Sequence, residues 1–455
     1  MNRDPTRLRG KTPPRILASF GAPGFGLFYV HNTFAAVDMS VRMAVHAWLV
    51  LELSDDSEIW IGIFALLLGV GQFLSSLLAG AIVDRFQRRD VLLVEGVIST
   101  TIACGLAAAT FFDLATLHLA IGVAFMIGCL RGVRFTAVNR LVYDLVGPSQ
   151  LVNGAALWRI SSTPMMVVGA LLAGALIQWF GVWAAYGFLG ISLVVSLPFL
   201  AAIRVRGAVQ ASDTNLLRQV MEGVRYAAKD RPLRTLFAMS VVMETLGFAF
   251  IVMIPIMAKT VLEVGGIGMG FLQAGVGVGS FAATVIMAIR GDSENKPRII
   301  FLNALVAGAA LIGFALSRSL ILSIFFATAA MAFLNAYDLT LGALMQLVAP
   351  PHLRGRAVSL HSLAISFTAL GGFGMGLAGS LVGVPAVLAA GGVGVIINSL
   401  LRRSALMQIQ RKPVLPSVGS SPVTSTANDS RDEAVHPGDE KDCSTSHQCP
   451  DSQPG

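Results

Sequence analysis

Long apolar stretches separated by short polar breaks run along most of this chain. A helix that crosses a membrane needs roughly 20 mostly apolar residues. Twelve stretches of suitable length lie between charged breaks, near residues 24–51, 59–83, 91–112, 115–137, 152–178, 182–203, 234–257, 266–289, 299–317, 319–347, 357–382 and 384–402. This pattern predicts an all-α integral membrane protein with twelve transmembrane helices.

Composition supports a membrane protein and argues against soluble classes. Of the 455 residues, 55% are hydrophobic and 13% are charged, and the mean hydropathy is +0.71. Soluble domains carry roughly 25% charged residues. The net charge of +7 does not indicate nucleic-acid binding, because the basic residues are spread over short loops instead of forming one patch. The lipid bilayer is therefore an expected partner, and nucleic acid is not.

Lys and Arg residues concentrate in every second loop. The loops rich in these residues contain Arg85, Arg88 and Arg89, then Arg134 and Arg140, then residues 204–234, then Arg290, Lys296 and Arg298, and finally Arg354 and Arg356. The opposite loops contain only Lys259 and Arg318, and the first of them is acidic. Because loops rich in Lys and Arg remain in the cytoplasm, both termini are predicted to be cytoplasmic.

Breaks in the pattern divide the chain into four predicted parts. Residues 1–203 and 234–403 each carry six predicted spans, which suggests two halves related by an internal repeat. Residues 204–233 form a linker in which apolar residues recur at helical spacing, so we predict an amphipathic helix on the inner membrane surface. Residues 404–455 are rich in Pro, Ser, Thr, Asp and Glu, a composition typical of a disordered cytoplasmic tail.

The polar break between the second and third predicted spans carries the most specific motif. It reads Gly80-Ala-Ile-Val-Asp84-Arg85-Phe-Gln-Arg88-Arg89. A glycine, then Asp-Arg four residues later, then a basic pair, resembles the loop between helices 2 and 3 of major facilitator superfamily transporters. Other stretches resemble the branch of that superfamily that contains enterobactin exporters and macrolide or multidrug efflux proteins. These stretches are residues 38–50, 151–155, 217–226 and 353–356.

The resemblance implies the major facilitator fold, in which two six-helix halves give alternating access to a central site. It also implies that Gly80, Asp84, Arg85, Arg88 and Arg89 form a conformational switch. Gly80 would let helix 2 approach a neighbour closely, and Asp84 can accept hydrogen bonds from a helix N-terminus. The resemblance identifies that neighbour as helix 11, so the contact would stabilise the outward-facing state. The alternative is that the charged residues only set the topology.

Ionisable residues inside the predicted spans indicate a transport path. Each costs ~2.5–3.5 kcal/mol on insertion scales and usually faces a partner or a water-filled cavity. Asp38, Arg42 and His46 share one face of helix 1, where Asp38 and Arg42 can pair. We expect this face to line the central cavity, and a purely structural ion pair is the alternative. Glu244 in helix 7 and Asp338 in helix 10 are the acids of the second half.

Arg131 is the remaining candidate for substrate or proton coupling. The superfamily often places an arginine in helix 4 near a proton-coupling carboxylate, and the resemblance gives Arg131 that position. A side chain that extends to the inner interface is the alternative. Glu95 and Asp144 lie close to the inner surface and are expected to pair with loop arginines. The predicted coupling residues are Asp38, Arg42, Arg131, Glu244 and Asp338.

No motif for enzyme chemistry is present in the sequence. It has no Gly-rich loop ending in Lys-Ser or Lys-Thr for nucleotide binding, and no histidine pair at metal-binding spacing. We therefore predict no catalysis, no cofactor and no metal, and a gradient must drive transport. A proton is the expected coupling ion, carried by Asp38, Glu244 or Asp338, because burial favours the neutral form of a carboxyl group.

The resemblance implies proton-coupled efflux of a small-molecule substrate, amphiphilic and either drug-like or siderophore-like, across a bacterial inner membrane. One departure weakens the assignment of antiport. Helix 5 reads Val168-Gly169-Ala-Leu-Leu-Ala-Gly174, where drug/proton antiporters often carry a Gly-Pro-rich motif, and Pro164 lies nearer the helix start. An importer or lipid flippase of the same fold, and a transport-dead membrane scaffold or sensor, are the alternatives.

Overall fold

The computed structural model describes residues 19–204, 230–291, 295–350 and 354–411. Every regular element in these ranges is a helix, and twelve of them are long and apolar enough to cross a membrane. The first six are α1 (Phe25–Leu53), α2 (Glu58–Arg85), α3 (Arg88–Phe111), α4 (Leu117–Gly147), α5 (Ala156–Phe180) and α6 (Val182–Ala201). The predicted all-α fold with twelve spans is confirmed.

The second six spans follow the undescribed residues 205–229. They are α7 (Arg231–Val261), α8 (Gly266–Arg290), α9 (Lys296–Leu316), α10 (Leu320–Val348), α11 (Arg354–Ile365 and Phe367–Val382) and α12 (Val384–Leu401). Two of these spans are irregular. Helix α7 contains π-helical turns at Met243–Phe248 and Met257–Val261, and α11 is interrupted at Ser366. Such turns are frequent at functional sites.

The predicted ends of the spans agree with the structure to within about four residues, except at the end of α4. The sequence predicts this end near residue 137, but the helix continues to Gly147. Leu141, Val142 and Leu145 are buried on one side of the added turns, while Arg140 is exposed on the other. A charged break therefore does not end the helix here, because its apolar side still packs against the bundle.

A short helix, α13 (Arg403–Arg411), occupies the first residues of the predicted tail. Its Leu406 is fully buried, and the helix packs against α7 and α9. Residues 404–411 are thus ordered, contrary to the prediction for this part of the tail, because burial of apolar side chains compensates for the cost of ordering them. The rest of the predicted tail and the amphipathic linker helix lie outside the described residues.

Close helix contacts join the first six spans to the second six. Helix α2 packs against α11, where a Cβ atom at Gly376 would lie 2.6 Å from the Glu58 carbonyl oxygen and 2.7 Å from the Gly62 Cα. Helix α5 packs against α8, where a Cβ atom at Gly174 would lie 3.0 Å from the Gly270 Cα. Small residues allow such backbone approach in membranes. Both contacts lie near helix ends predicted to be outside, so the two sets of helices meet on that side.

Candidate functional site

Asp38 and Arg42 form a buried ion pair one turn apart on α1. Arg42 Nη2 donates to Asp38 Oδ1 at 2.7 Å, and the residues are 6% and 9% exposed. The spacing of four residues alone places the two groups side by side, as the sequence indicates. Because neither charge is left without a partner, the pair reduces the cost of keeping both inside the membrane.

The face of α1 that carries this pair is directed into the first six helices. The same face carries His31, whose Nδ1 lies 3.2 Å from the Ser196 carbonyl oxygen of α6. It also carries His46, whose Nδ1 lies 2.6 Å from the Tyr186 hydroxyl of α6 and whose Nε2 lies 2.9 Å from the Ala120 carbonyl oxygen of α4. These contacts direct the two histidines of this face toward α4 and α6, and the placement of Asp38 and Arg42 beside a cavity between the halves stays a prediction.

A second ion pair joins α3 to α4 in the same bundle. Arg134 Nη1 donates to Glu95 Oε2 at 2.9 Å, and Ser99 Oγ donates to Glu95 Oε1 at 2.9 Å. The sequence predicts a loop arginine as the partner of Glu95, and Arg134 is one of the arginines counted with those loops, so the pairing is confirmed. Arg134 itself lies within α4.

The second six spans contain their own acidic group. Glu244 is 4% exposed, lies on the π-helical turn Met243–Phe248 of α7, and accepts a hydrogen bond from Thr368 Oγ1 of α11. Asp338 of α10 has its Oδ1 3.4 Å from His361 Nε2 of α11. Both predicted acids of the second half therefore contact polar side chains of α11. Thr368 and His361 are not among the predicted site residues, although both are polar residues within the predicted eleventh span.

Arg131 is half-buried on α4, and it makes no ion pair or hydrogen bond with another described residue. The neighbouring Gly132 packs against α2, where a Cβ atom would lie 2.7 Å from the Gln72 carbonyl oxygen. The structure therefore does not join Arg131 to either acidic group. Its role in coupling stays a prediction.

The switch motif between α2 and α3 is described in part. Arg88 Nε lies 3.5 Å from Asp144 Oδ2 of α4, which confirms the predicted pairing of Asp144 with a loop arginine. Arg89 pairs with Asp90 at 2.9 Å and donates to the Ile203 carbonyl oxygen at 3.0 Å. These contacts connect α3 to α4 and to the end of α6. Gly80 and Arg85 lie on α2. The side chains of Asp84, Arg354 and Arg356 are outside the described part, so the contact with helix 11 stays a prediction.

A polar contact on the side predicted to be outside links the two sets of helices. Lys259 Nζ of α7 lies 2.5 Å from Asp56 Oδ1 in the loop after α1, and 5.5 Å from the centre of the Trp48 ring of α1. Trp48 Nε1 donates to Glu52 Oε1 at 2.7 Å. We call Trp48, Glu52, Asp56 and Lys259 the outer cluster. It lies at the same end of the helices as the glycine contacts and adds charge attraction to them.

Reversing one charge of the outer cluster should open this side. Lys259→Glu should increase the ratio of open to closed forms by up to about fivefold, because exposed ion pairs contribute about 0.2–1 kcal/mol. Pulsed electron paramagnetic resonance between labels at Leu114 and Arg318, in a background without native cysteines, measures this opening. The double variant Lys259→Asp with Asp56→Lys should restore the closed distance. An unchanged distance distribution in Lys259→Glu would show that the pair does not hold this side closed.

The fold and these intramembrane charges define a membrane transporter of the major facilitator type, and comparison with known sequences identifies its family. The profile of the family described as transmembrane secretion effector matches residues 15–429. The chain belongs to this family of the major facilitator superfamily, which confirms the resemblance seen in the sequence. It is an integral membrane transporter.

Individual relatives are distant but extend over most of the chain. The enterobactin exporter EntS of Shigella boydii serotype 4 is 22% identical over 404 residues, which cover 88% of this chain and 94% of the relative. The EntS protein of Escherichia coli O1:K1 shows the same identity and coverage. An uncharacterized MFS-type transporter of Sinorhizobium fredii is 23% identical over 203 residues, which cover 44% of this chain and 50% of that protein.

Solved structures share the fold at low sequence identity. The nucleoside transporter NupG has a TM-score of 0.69 at 11% identity, with 86% of this chain and 99% of that chain covered. A bacterial homologue of the human lysosomal transporter Spinster, in an inward-facing and occupied conformation, has a TM-score of 0.63 at 15% identity, with 88% and 98% covered. These similarities show the fold alone.

Proposed function

We propose that this protein is a proton-coupled exporter of a small amphiphilic compound in a bacterial inner membrane. The observation that carries the proposal is a buried acid in each set of six spans: Asp38 paired with Arg42, and Glu244 bonded to Thr368. Charged groups inside a membrane are costly and mark ion pathways. A scaffold or sensor without transport would have no need of them.

The two acidic groups differ in how their charge is balanced. Asp38 has a positive partner in direct contact, and Glu95 with Arg134 forms a second balanced pair nearby. Glu244 instead contacts the neutral hydroxyl of Thr368, and Asp338 lies 3.4 Å from a ring nitrogen of His361. Because Glu244 pairs with no cation among the described residues, a proton bound there removes an unbalanced charge from the membrane interior. Glu244 and Asp338 thus suit reversible proton binding. For Asp38, the paired Arg42 favours the ionised form and so controls its charge state.

We infer that the halves at residues 1–203 and 234–403, joined by the linker 204–233, move relative to each other in alternating access. The close contacts of α2 with α11 and of α5 with α8 support closure on the side predicted to be outside. In that arrangement a substrate enters from the cytoplasm. Protonation of Glu244 or Asp338 from the outside would then drive the return step, and the exchange is antiport.

The class of substrate rests on similarity alone. The relatives named as enterobactin exporters align with most of this chain, so a siderophore-like compound is our first candidate, followed by a drug-like amphiphile. An untargeted comparison of compounds retained by cells tests this. Cells without the protein, or with Asp38→Asn, should retain a compound that cells with the native protein release. Collapse of the proton gradient should abolish the difference, and a difference that persists would contradict proton coupling.

Replacing Asp84 with asparagine should slow transport by about two- to fivefold and leave expression unchanged. The substitution removes a negative charge proposed to act at the facing helix end, and such a charge contributes about 0.3–1 kcal/mol. Initial transport rates in reconstituted vesicles measure the effect. Asp90→Asn is the matched control, because Asp90 is an exposed acid in the first turn of α3, six residues after Asp84, and pairs only with its neighbour Arg89 among the described residues. Equal rates for Asp84→Asn and native protein would leave the motif with a topological role only.

A further inference from the structure

We infer that Thr368 converts proton binding by Glu244 into a change in the bend of α11, a role that rests on the proposed proton coupling and adds a residue to it. Within the described ranges, Thr368 provides the only hydrogen bond to the Glu244 side chain. It lies two residues after Ser366, where α11 is interrupted between the segments Arg354–Ile365 and Phe367–Val382. One side chain therefore joins the buried acid to the interruption.

The Thr368 hydroxyl has two acceptors within reach. Its Oγ1 lies within hydrogen-bond distance of Glu244 Oε2 on α7 and 2.8 Å from the Ile365 carbonyl oxygen on its own helix. A hydroxyl carries one proton, so it donates to only one of these acceptors at a time. Ionised Glu244 attracts that proton. Protonated Glu244 instead donates its own proton to the hydroxyl oxygen, and the hydroxyl then donates to Ile365. The hydroxyl keeps its proton in both states, and only its acceptor changes.

The acceptor on α11 lies at the interruption itself. Ile365 is the last residue of the first segment. The N–H of Ser366 donates at 3.1 Å to the Leu363 carbonyl oxygen, three residues back, where an α-helix bonds four residues back. A threonine hydroxyl that bonds to a carbonyl group of the preceding turn bends a helix. The charge of Glu244 therefore decides whether Thr368 makes such a bond where the regular helix is already interrupted.

The second segment of α11 is held against its neighbours by close backbone contacts. A Cβ atom at Gly371 would lie 2.7 Å from the Thr245 Cα in the π-helical turn that carries Glu244. Gly376 of the same segment makes the contact with α2 described above. The first segment meets α10 through a side chain, since a Cβ atom at Gly342 would lie 3.2 Å from His361 Nε2. A change in the bend therefore displaces the first segment.

The first segment contains the end of α11 that is predicted to face Asp84. Val358 lies eight residues before Ser366, a rise of roughly 12 Å along the helix. A bend of roughly 20°, the lower limit of a sharp kink, moves a residue at that distance by roughly 4 Å. A hydrogen bond tolerates much less, because its heavy atoms lie about 2.7–3.2 Å apart. Proton binding by Glu244 thereby changes the contacts of α11 on the side predicted to be cytoplasmic.

Other titratable groups surround α7 on only some of its neighbours. The π-helical turn packs against α9, α10, α12 and the second segment of α11, and the sequences of the last two, Val384–Leu401 and Phe367–Val382, contain no titratable residue. The titratable or charged residues on the remaining elements are Lys296 and Arg298 of α9, Tyr337 and Asp338 of α10, Arg354, Arg356 and His361 of the first segment of α11, and Arg231, Arg234 and Lys259 of α7 itself. A response of α11 to pH that Glu244→Gln removes is therefore assigned to Glu244 and not to these residues.

The bend of α11 is measured by pulsed electron paramagnetic resonance on the protein in lipid vesicles, without substrate. Labels are placed at Val358 and at Leu302 of α9, in a background without native cysteines. Both positions are exposed and belong to the second six spans, so a movement of one half against the other leaves their distance unchanged. A step from acidic to alkaline pH should shift this distance by roughly 4 Å in the native protein. Glu244→Gln should hold the acidic distance at both pH values.

Variants of Thr368 test whether the hydroxyl carries the effect. Thr368→Val keeps the shape of the side chain and removes the hydroxyl, so it should lose the pH-dependent shift, whereas Thr368→Ser should retain it. Thr101→Val is the matched control and should also retain it, because the Thr101 hydroxyl donates at 3.0 Å to the Val97 carbonyl oxygen of its own helix in the first half. Infrared spectroscopy of the carboxyl band that Glu244→Gln removes shows whether Glu244 still titrates in each variant.

The outcomes separate the role of Thr368 from the proposed function. A full shift in Thr368→Val would overturn the inference, and so would a lost shift in Thr368→Ser, since the side chain would then act only through packing. A native distance that ignores pH while the Glu244 band titrates would overturn it as well. In these cases proton binding by Glu244 would stand. If Glu244→Gln removed no titrating band, the proposed coupling through Glu244 would fail, and the role of Thr368 with it.

Discussion

Replacing Asp38 with asparagine should lower gradient-driven transport on the order of 100-fold, the lower end of what a positioned proton-transfer group contributes. Asparagine keeps the size of the side chain but cannot bind a proton or balance Arg42, so the buried guanidinium loses its ion pair. Transport in vesicles of defined orientation, measured with the compound found in the retention experiment, tests this. Asp113→Asn is the control, because Asp113 is exposed and has a φ of 55°, which asparagine tolerates.

The partner variant Arg42→Ala distinguishes coupling from a structural ion pair. Without the Arg42 charge, the ionised form of Asp38 loses its main support, so the pH profile of transport should move toward alkaline values. Expression and thermal stability must be measured alongside. Full gradient-driven flux in Asp38→Asn, together with an unmoved pH profile in Arg42→Ala, would make the pair structural. Glu244 and Asp338 would then be the leading candidates.

Replacing Gly376 with leucine should favour the state open to the outside and block the transport cycle. The new side chain would meet the Glu58 carbonyl oxygen and the Gly62 Cα, which lie 2.6 Å and 2.7 Å from the position of its Cβ atom. Overpacking costs about 1–3 kcal/mol, which corresponds to a change of roughly 5- to 150-fold in the ratio of the two states. Transport in vesicles and the distance between the labels at Leu114 and Arg318 measure the two effects.

A neighbouring glycine, Gly374, provides the control for the Gly376→Leu substitution. Gly374 lies on the same segment of α11, and a Cβ atom there would meet nothing within 4 Å. Gly374→Leu should therefore keep both transport and the closed distance. If Gly376→Leu transported at the rate of Gly374→Leu, the α2–α11 contact would not need to close during the cycle. Poor insertion of Gly376→Leu is recognised by comparing its expression with that of the control.

The spans and the Asp38–Arg42 pair are predictable because both depend on neighbouring residues. A membrane helix satisfies its own backbone hydrogen bonds, so about 20 apolar residues are enough to indicate one. Two residues four apart on a helix meet whatever the rest of the chain does. The charged break near Arg140 is misleading for a related reason. Arg140 lies on the exposed side of α4, where a charge does not end the helix. The buried side, with Leu141 and Leu145, decides where α4 ends.

The sequence by itself determined the twelve spans, the ion pair on α1 and the presence of acids in spans 7 and 10. Only the tertiary structure decided which distant residues meet: Glu95 with Arg134, Glu244 with Thr368, and Asp56 with Lys259. It also placed His31 and His46 of α1 against α4 and α6. The physical reason is that each such contact depends on how two helices rotate and shift against each other. Side-chain packing between the helices sets this rotation and shift, and the pattern of apolar and polar residues along the chain does not specify it.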